Sequence, residues 1–519
     1  LSLTSCAKKN ETVERLGILP ANLLISDPSS EWLKTAVPIA IQYDLRTAHG
    51  FLAGIAPDEA SAIQGGVTRL LRTSIESRQG GLHLESTIVD AATQKVIRVV
   101  SSDANSASVV LPAVNALARK IDPGAVDFST SITPAWQSLA TAEANNNPQQ
   151  RAQFLSQAVS RDPNFGFAWF SLMEMIAPNR QTDLKKMIED AKAHRAAFTP
   201  LDRARFDVAM NHLSNAPPAD QIKAAQAYLA LAPNDLEVMI TLGDYQILQG
   251  DSPAGEQSLR HAAALNPANV RLRFQLARGL MQLRKFKEAE TILAAIDKTP
   301  GVYPELATVV LLEGDKTRAA TIMEKFIASL PNDELKPFVR ASWTVSAGDR
   351  QKGIDQIQTS HFKDANLQSL AVAQVSLWQI MGGDYAAAET TISVIGNSPG
   401  APPSPLPVLL GLLADKTTPA PAWNSRVQSV GMPESMKQPL LAYGFFLRGN
   451  YEDAAKAWQQ ISDAVHGEDL HARAMLASSL DHAGKKAEAQ RINILPFSPE
   501  FTDLYSAISF IEMRRMLPK

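Results

Sequence analysis

The stretch LEVMITLGDYQILQGDSPAGEQSLRHAAALNP, residues 236–267, decides the fold. Leu242-Gly243 put a small residue in the middle of a first helix, and Gly250-Asp251 make a tight turn. Gly255, Leu259 and Ala262 line a second helix, which Pro267 ends. Small residues are needed where the two helices of a hairpin touch, and large ones where neighbouring hairpins interlock. On moving 34 residues further, Leu276-Ala277, Ala289, Leu293 and Ile296 fill the same slots. A unit recurring at this period cannot cover its apolar flank alone and uses its neighbours, which predicts an array of hairpins.

Working outward, the small positions of the second helices run Gly255, Ala289, Ala319, Gly353, Ala388, Ala454 and Ala489, in steps of 34, 30, 34, 35, 66 and 35. The step of 66 leaves room for one degenerate unit near residue 421. Terminating prolines follow the same beat, with Pro163, Pro233, Pro267 and Pro331 separated by 70, 34 and 64. Turn-plus-helix phrases recur as Lys285-Phe286-Lys287-Glu288-Ala289, Gly383-Asp384-Tyr385-Ala386-Ala387-Ala388 and Gly449-Asn450-Tyr451-Glu452-Asp453-Ala454. Upstream, Trp136, Leu155, Ala158, Pro163, Trp169 and Leu172 fit two more units. This register predicts about ten or eleven hairpins over residues 131–400 and 433–519, closed by a capping helix over 503–516. Proline-rich stretches at 399–407 and 417–421 interrupt it, so 401–432 reads as a degenerate repeat or loop, with a hinge between two half-arrays as the sharper alternative.

The pattern of small, aromatic and proline positions resembles the tetratricopeptide repeat. That resemblance implies a right-handed superhelix of helical hairpins that binds a protein or peptide partner. It also implies an inner surface lined by the second, fifth, ninth and twelfth to thirteenth residues of each first helix. In the unit beginning at Val270 those slots hold Arg271, Phe274, Arg278, Met281 and Gln282, and the preceding unit offers Glu237, Ile240 and Asp244. Two arginines beside an aromatic suit a carboxylate of an extended peptide, held by bidentate hydrogen bonds. The plainer alternative pairs Arg271 and Arg278 with Glu237 and Asp244 across adjacent hairpins.

Residues 13–125 read differently. Leu16-Gly17-Ile18-Leu19-Pro20 is a short buried strand ended by proline, and Ser29 and Ser30 stand where they would cap a helix running toward Arg46, kinked or broken at Pro38. A second strand spans 51–55, and Pro57-Asp58-Glu59 opens a helix carrying Ile63, Val67, Leu70 and Leu71. Alternating residues 82–89 and 95–100 form a hairpin around the turn 90–94, and 109–121 is an amphipathic helix. The predicted order is β-α-β-α-β-β-α, an α/β domain. The run Leu16-Gly17-Ile18-Leu19-Pro20-Ala21-Asn22, then Asp27-Pro28, Glu31-Trp32-Leu33 and the hairpin from Leu82 to Thr93 resemble the amino-terminal domain of TolB and its relatives. Those relatives usually carry Pro-Phe where this chain has Pro20-Ala21. The resemblance implies an accessory, protein-contact role in the bacterial envelope and brings no catalytic motif.

The chain has 519 residues, 45 % hydrophobic and 20 % charged, with a formal net charge of −3, so nothing electrostatic points to nucleic acid. No run of 18 apolar residues occurs. The single cysteine, Cys6, excludes an internal disulfide and a multi-thiolate zinc site. Leu3-Thr4-Ser5-Cys6 resembles a bacterial lipobox, and residues 1–12 then read as a lipidated end and polar tether. Ala7 behind the cysteine resembles lipoproteins sorted to the outer membrane and facing the periplasm. A chance four-residue match in a cytoplasmic fragment is the alternative.

The 9 histidines include no pair at metal-ligand spacing on one helix face, and His-Glu-x-x-His, Gly-x-Ser-x-Gly and Gly-x-x-x-x-Gly-Lys-Ser/Thr are all missing. Gly65-Gly66 and Gly80-Gly81 suit turns and close packing. Trp136, Trp169, Trp343, Trp378 and Trp458 fall at repeat packing positions. The expectation is therefore a non-enzymatic scaffold with no catalytic residues, cofactor or metal, tethered to a membrane through a lipid on Cys6. The alternative is the ligand- or partner-sensing tail of a larger signalling protein, with a kinase or winged-helix regulator upstream.

Overall fold

The computed structural model describes residues 13–25, 27–175, 181–296, 299–395 and 406–518. Cys6 lies outside them. Two compact units emerge: Leu1–Gln246 with Gln257–Leu272, and Ile247–Glu256 with Arg273–Lys519.

The first unit opens with β1 (Glu14–Ile18), β2 (Asn22–Leu24), α1 (Leu33–Asp44), β3 (Phe51–Ile55), α2 (Glu59–Gln64), β4 (Arg69–Arg78), β5 (Gly81–Asp90), β6 (Val96–Ala104) and α3 (Leu111–Ile121). Their sheet has the order β3-β1-β4-β5-β6, with β2 also paired to β4. β1 is parallel to β3 and β4, whereas β4, β5 and β6 form an antiparallel meander. Leu71, Ile75, Leu84 and Ile88 face α1 and α3, while Leu70 and Val89 face Ala62 of α2.

Three local expectations are corrected. The helix predicted from Pro57 through Leu71 is only α2, six residues long, because Gly66 turns the chain at φ +81° and Leu70 and Leu71 continue as β4. With both faces of the sheet covered, adjacent leucines are both buried, and the strand loses its alternation. Asp27, not Ser29 or Ser30, supplies the cap: its carboxylate accepts from the Ser29 amide at 2.9 Å and holds a single 3₁₀ turn over Pro28–Ser30. Pro38 does not break α1. The carbonyl that its missing N–H would have bonded, that of Lys34, instead accepts from the Ala21 amide at 3.0 Å.

Helical hairpins follow: α4 (Thr133–Glu143) with α5 (Pro148–Arg161), α6 (Gly166–Glu174) with α7 (Gln181–His194), α8 (Pro200–Leu213) with α9 (Pro218–Leu229), and α10 (Leu236–Leu248) with α11 (Ser252–Leu265). The core of the first unit runs without interruption from Leu16 on β1 to Leu242 on α10. Trp136 of α4 is fully buried with its ring edge-on to Trp32 at 5.0 Å. A buried polar knot adds direction to that packing. Asp202 of α8 accepts from the Tyr43 hydroxyl at 2.9 Å and from Ser129, and the Asn234 amide bonds the carbonyls of Ala48, His49 and Phe51 at 3.1, 3.1 and 3.0 Å.

The chain continues as α12 (Val270–Gln282) with α13 (Phe286–Ala294), α14 (Tyr303–Leu312) with α15 (Lys316–Ser329), α16 (Leu335–Ser346) with α17 (Arg350–Gln358), and α18 (Ala365–Met381) with α19 (Tyr385–Ile395). Then come α20 (Leu406–Ala414) with α21 (Ala420–Ser429), α22 (Glu434–Leu447) with α23 (Tyr451–Ala464), α24 (Leu470–His482) with α25 (Lys486–Ala489), and α26 (Ser506–Met516). From α4 to α25 this makes eleven hairpins among the described residues. Residues 406–429, inside the proline-rich stretch, are a hairpin whose Trp423 is fully buried. A Cβ on Gly444 of α22 would lie 2.2 Å from that ring.

Many of the turns between paired helices share one backbone device, which Asn215 supplies in the α8–α9 turn at φ 51°. Gly250, Gly314, Gly348, Gly383, Gly449 and Gly484 all sit at positive φ, as does Arg284 in the α12–α13 turn at φ 60°. Second-helix small residues are buried throughout, with Ala289, Ala319, Ala388 and Ala454 at 0 % exposure. At Gly353 a Cβ would meet Val345 Cγ2 at 2.4 Å and the Ala341 carbonyl at 2.9 Å. Helix propensity alone would make Gly353→Ala stabilising by about 1 kcal/mol. Overpacking reverses that sign, and a loss of about 1–3 kcal/mol is expected in denaturant melts. A gain would show that the hairpin contact has room for a methyl group.

Asp44 is fully buried, and among the described residues neither carboxylate oxygen has a hydrogen-bond partner. Burial raises its pKa well above the ordinary 3.8, with Asp127 adding to the shift and Arg119 opposing it. The unfolded chain ionises first, so the stability Asp44 contributes is complete below the unfolded pKa and falls as pH rises above it. Asp44→Asn therefore raises Tm at pH 7 by about 3 °C or more. The gain disappears near pH 4, which thermal melts at the two pH values check.

Candidate functional site

The best-built binding geometry lies in the second unit, around residues 491–505 between α25 and α26. Residues 493–500 adopt no regular secondary structure. Pro496 and Pro499 fix φ and donate no hydrogen bond, and they push Leu495 and Ser498 toward extended conformations. Ile494, Leu495 and Phe497 are nonetheless buried, at 5, 5 and 7 % exposure.

Side chains of the hairpins hold this segment by its main chain. Arg473 of α24 donates to the Asn493 carbonyl at 3.3 Å, and Arg284 donates to the Ile494 carbonyl at 3.3 Å. Ser342 of α16 donates to the Phe501 carbonyl at 3.4 Å, and Gln374 of α18 to that of Asp503 at 3.1 Å. Ser498 donates to Glu305 of α14. The Phe497 ring packs on His471 at 4.3 Å, and Phe501 on Phe326 at 6.3 Å. Burial raises the Glu305 pKa, while the Ser498 hydrogen bond and the Arg278 charge pull it back. Arg473 also bonds the Leu248 carbonyl at 3.1 Å, and burial lowers its pKa.

Helix α26 continues the same placement. His471, Ser478 and Asp481, the second, ninth and twelfth residues of α24, meet Ser509 at 2.6 Å, Glu512 at 2.6 Å and Arg515 at 2.7 Å. Arg514 reaches the Ser346 carbonyl of α16 at 2.9 Å, and Tyr505 stacks on Tyr443 of α22 at 4.2 Å. The terminal helix thus touches α24, as a cap on the last hairpin would, and also α16, four hairpins earlier. In α24, three of the slots that the repeat resemblance assigns to the inner surface face the chain's own carboxy-terminal part.

The residues singled out from sequence fall as follows. Arg271 pairs with Glu237 at 3.4 Å in the first unit, with side chains 70 and 62 % exposed. Arg205 lies 3.9 Å from the same carboxylate. Asp244 is exposed on α10 and Phe274 is half-buried on α12. Arg278 pairs with Glu305 at 3.6 Å in the second unit, beside the Ser498 contact. Sequence reading missed Arg284, Glu305, Ser342, Gln374, Arg473 and the segment they hold. The signal was an apolar, proline-bearing run where a linker would be polar, and an arginine in a turn slot that six other hairpins fill with glycine. Trp136, Trp169, Trp343, Trp378 and Trp458 are all buried. Among the described residues, no group of three His, Cys, Asp or Glu is placed to hold a metal ion, and no helix is long and apolar enough to cross a membrane.

Comparison with known proteins identifies the repeats. The family described as "Tetratricopeptide repeat" matches residues 246–310. Among solved structures, it is similar to a chain in "Structure of Naa15/Naa10 bound to HypK-THB", at 12 % identity and TM-score 0.25, covering 68 % of this chain and 67 % of that one. It is also similar to one in "Crystal structure of APC/C hetero-tetramer Cut9-Hcn1", at 11 % identity and TM-score 0.27, covering 79 % and 80 %. A third is "Crystal Structure of P58(IPK) TPR Domain at 2.5 A", at 12 % identity and TM-score 0.17, covering 74 % and 98 %. No curated protein matches the chain. Repeats of this type serve as protein-interaction scaffolds.

If Glu305 depends on Ser498 for its hydrogen bond, Ser498→Ala leaves a buried acceptor unsatisfied. A loss of about 1–3 kcal/mol is expected in chemical denaturation. A change below about 0.3 kcal/mol would mean that Arg278 alone satisfies Glu305.

Proposed function

We propose that this chain is a non-enzymatic, membrane-tethered scaffold that holds an extended segment of a protein partner on the inner face of its hairpins. The observation that carries the reading is the way Arg284, Ser342, Gln374 and Arg473, from four different hairpins, address main-chain carbonyls of one non-helical segment, residues 493–503. Donors aimed at carbonyls, with apolar side chains pocketed between them, recognise a peptide by its backbone and tune affinity by its side chains. On this reading the hairpins wind as a right-handed superhelix. Partner contacts outside that segment are assigned to Glu237, Asp244 and Arg271 in the first unit, and to Phe274 and Arg278 in the second.

The same reading gives residues 13–125 a TolB-like accessory role and places a lipid on Cys6. The protein then sits in the bacterial envelope, on the outer membrane facing the periplasm. Support comes from sequence: the only cysteine of the chain follows Leu3-Thr4-Ser5. Expressed behind its natural upstream sequence, the protein should incorporate radiolabelled palmitate and fractionate with outer membranes. Cys6→Ala abolishes both, and an unlabelled wild-type protein found in the soluble fraction would end the tether. Arg271→Glu and Arg278→Glu, made separately, each reduce partner capture from envelope extracts at least threefold. Capture unchanged by both variants would remove these arginines from the contact surface.

A further inference from the structure

We infer that the inner face of the second unit is a binding surface for an extended segment with an aliphatic pair, a proline, an aromatic residue and a serine. Residues 491–505 occupy this surface as a resident competitor, and a partner engages it by displacing them. This rests on the reading of that face as peptide-binding.

Three observations carry the inference. The segment is held without a backbone ladder: among the described residues, residues 493–499 make no backbone–backbone hydrogen bond, and their contacts come from hairpin side chains. It can leave without unravelling a helix, unlike any element that surrounds it. Its register is set chemically. Ile494, Leu495 and Phe497 are buried, and Ser498 answers Glu305, an acid whose remaining charge partner is Arg278 at 3.6 Å. An incoming segment must therefore bring a hydroxyl to the same place, or leave Glu305 with the Arg278 charge alone. Finally, the α12–α13 turn keeps an arginine at φ 60° where six other hairpin turns place glycine, and the α8–α9 turn asparagine, at positive φ. A left-handed arginine costs about 1 kcal/mol relative to glycine, and the side chain retained there grips the Ile494 carbonyl. A turn kept strained at a point of contact is what a binding site predicts and a mere linker does not.

Tethered at both ends, by α25 and α26, the resident segment acts at a millimolar effective concentration. A free peptide of micromolar affinity is then held off by about a hundredfold or more.

The test uses the full chain and a fluorescein-labelled synthetic peptide of residues 491–505, with a scrambled peptide as control. Leu495→Asp with Phe497→Asp loosens the resident segment, and this variant is expected to bind the peptide at least tenfold more tightly than wild type. In wild type, a saturating heavy-isotope-labelled peptide is expected to speed hydrogen exchange of residues 491–505. Arg284→Gly should speed it at least threefold without lowering Tm. A loosened variant with native circular dichroism that binds the authentic peptide no better than the scrambled one overturns the inference. Should that variant not fold, exchange in wild type that is unmoved by both peptide and Arg284→Gly overturns it, because the segment is then fixed core. Partner capture by wild type separates the two readings. Capture that persists while the peptide experiments fail leaves the scaffold standing without its resident competitor, and the reverse result leaves the surface without that partner.

Discussion

A helical hairpin of thirty-odd residues cannot bury both of its flanks. It covers one by close approach of its own two helices, which demands a residue the size of alanine or glycine at the crossing. It leaves the other for a neighbour. The buried alanines at 289, 319, 388 and 454, and Gly353 with no room for a methyl group, are the points where this constraint is met. Everything else in the helical part follows from it. Stacking must continue until something unlike a hairpin covers the last apolar flank. At the amino-terminal end that role falls to the α/β layer, whose core merges with that of the first hairpins through Trp32, Phe128 and Trp136.

The polar groups inside that merged core give it specificity. Apolar packing alone tolerates sliding of one layer on another, whereas Asp202 against Tyr43 and Ser129, and Asn234 against the carbonyls of Ala48, His49 and Phe51 at the α1–β3 connection, fit one arrangement. Burial raises the Asp202 pKa, opposed by the three hydroxyls around it and by Arg46. Such a knot is costly to leave half-made and therefore selects a single docking of helix on sheet.

The helical period was legible because its signal is stated many times: each small residue, turn glycine and terminating proline is one vote in a common register. Elements that depend on a single vote were read less well. β4 looked helical because a strand covered on both faces loses its alternation, so Leu70-Leu71 carried no period-two mark. Pro38 looked like a break because nothing local tells that the Ala21 amide will take the orphaned Lys34 carbonyl. The α20–α21 hairpin was obscured by prolines, although Trp423 anchors it as firmly as any repeat position. The second, ninth and twelfth residues of α24 meet α26, and the sequence gives no sign of that contact. Contacts between Arg284 and Ile494, or Glu305 and Ser498, span about two hundred residues and have no local signature.

That separation in sequence also explains why the occupant is extended. A helix satisfies its own carbonyls and offers a groove only side chains, so α26 is held by pairs such as Arg515 with Asp481 and Ser478 with Glu512. A segment with Pro496 and Pro499 cannot coil, and its carbonyls must find donors elsewhere. First helices of successive hairpins present donors at a spacing set by the stacking distance, about 8–10 Å. An extended chain advances about 3.3 Å per residue, so carbonyls roughly three residues apart meet successive helices. Residues 493–500 cover seven such steps, and together with the turn that follows through Asp503 they meet donors or acceptors from five hairpins. The hairpin period and the reach of an extended backbone are commensurate, so the stretch from Ile494 to Asp503 meets side chains from four hairpins that follow one another in the chain.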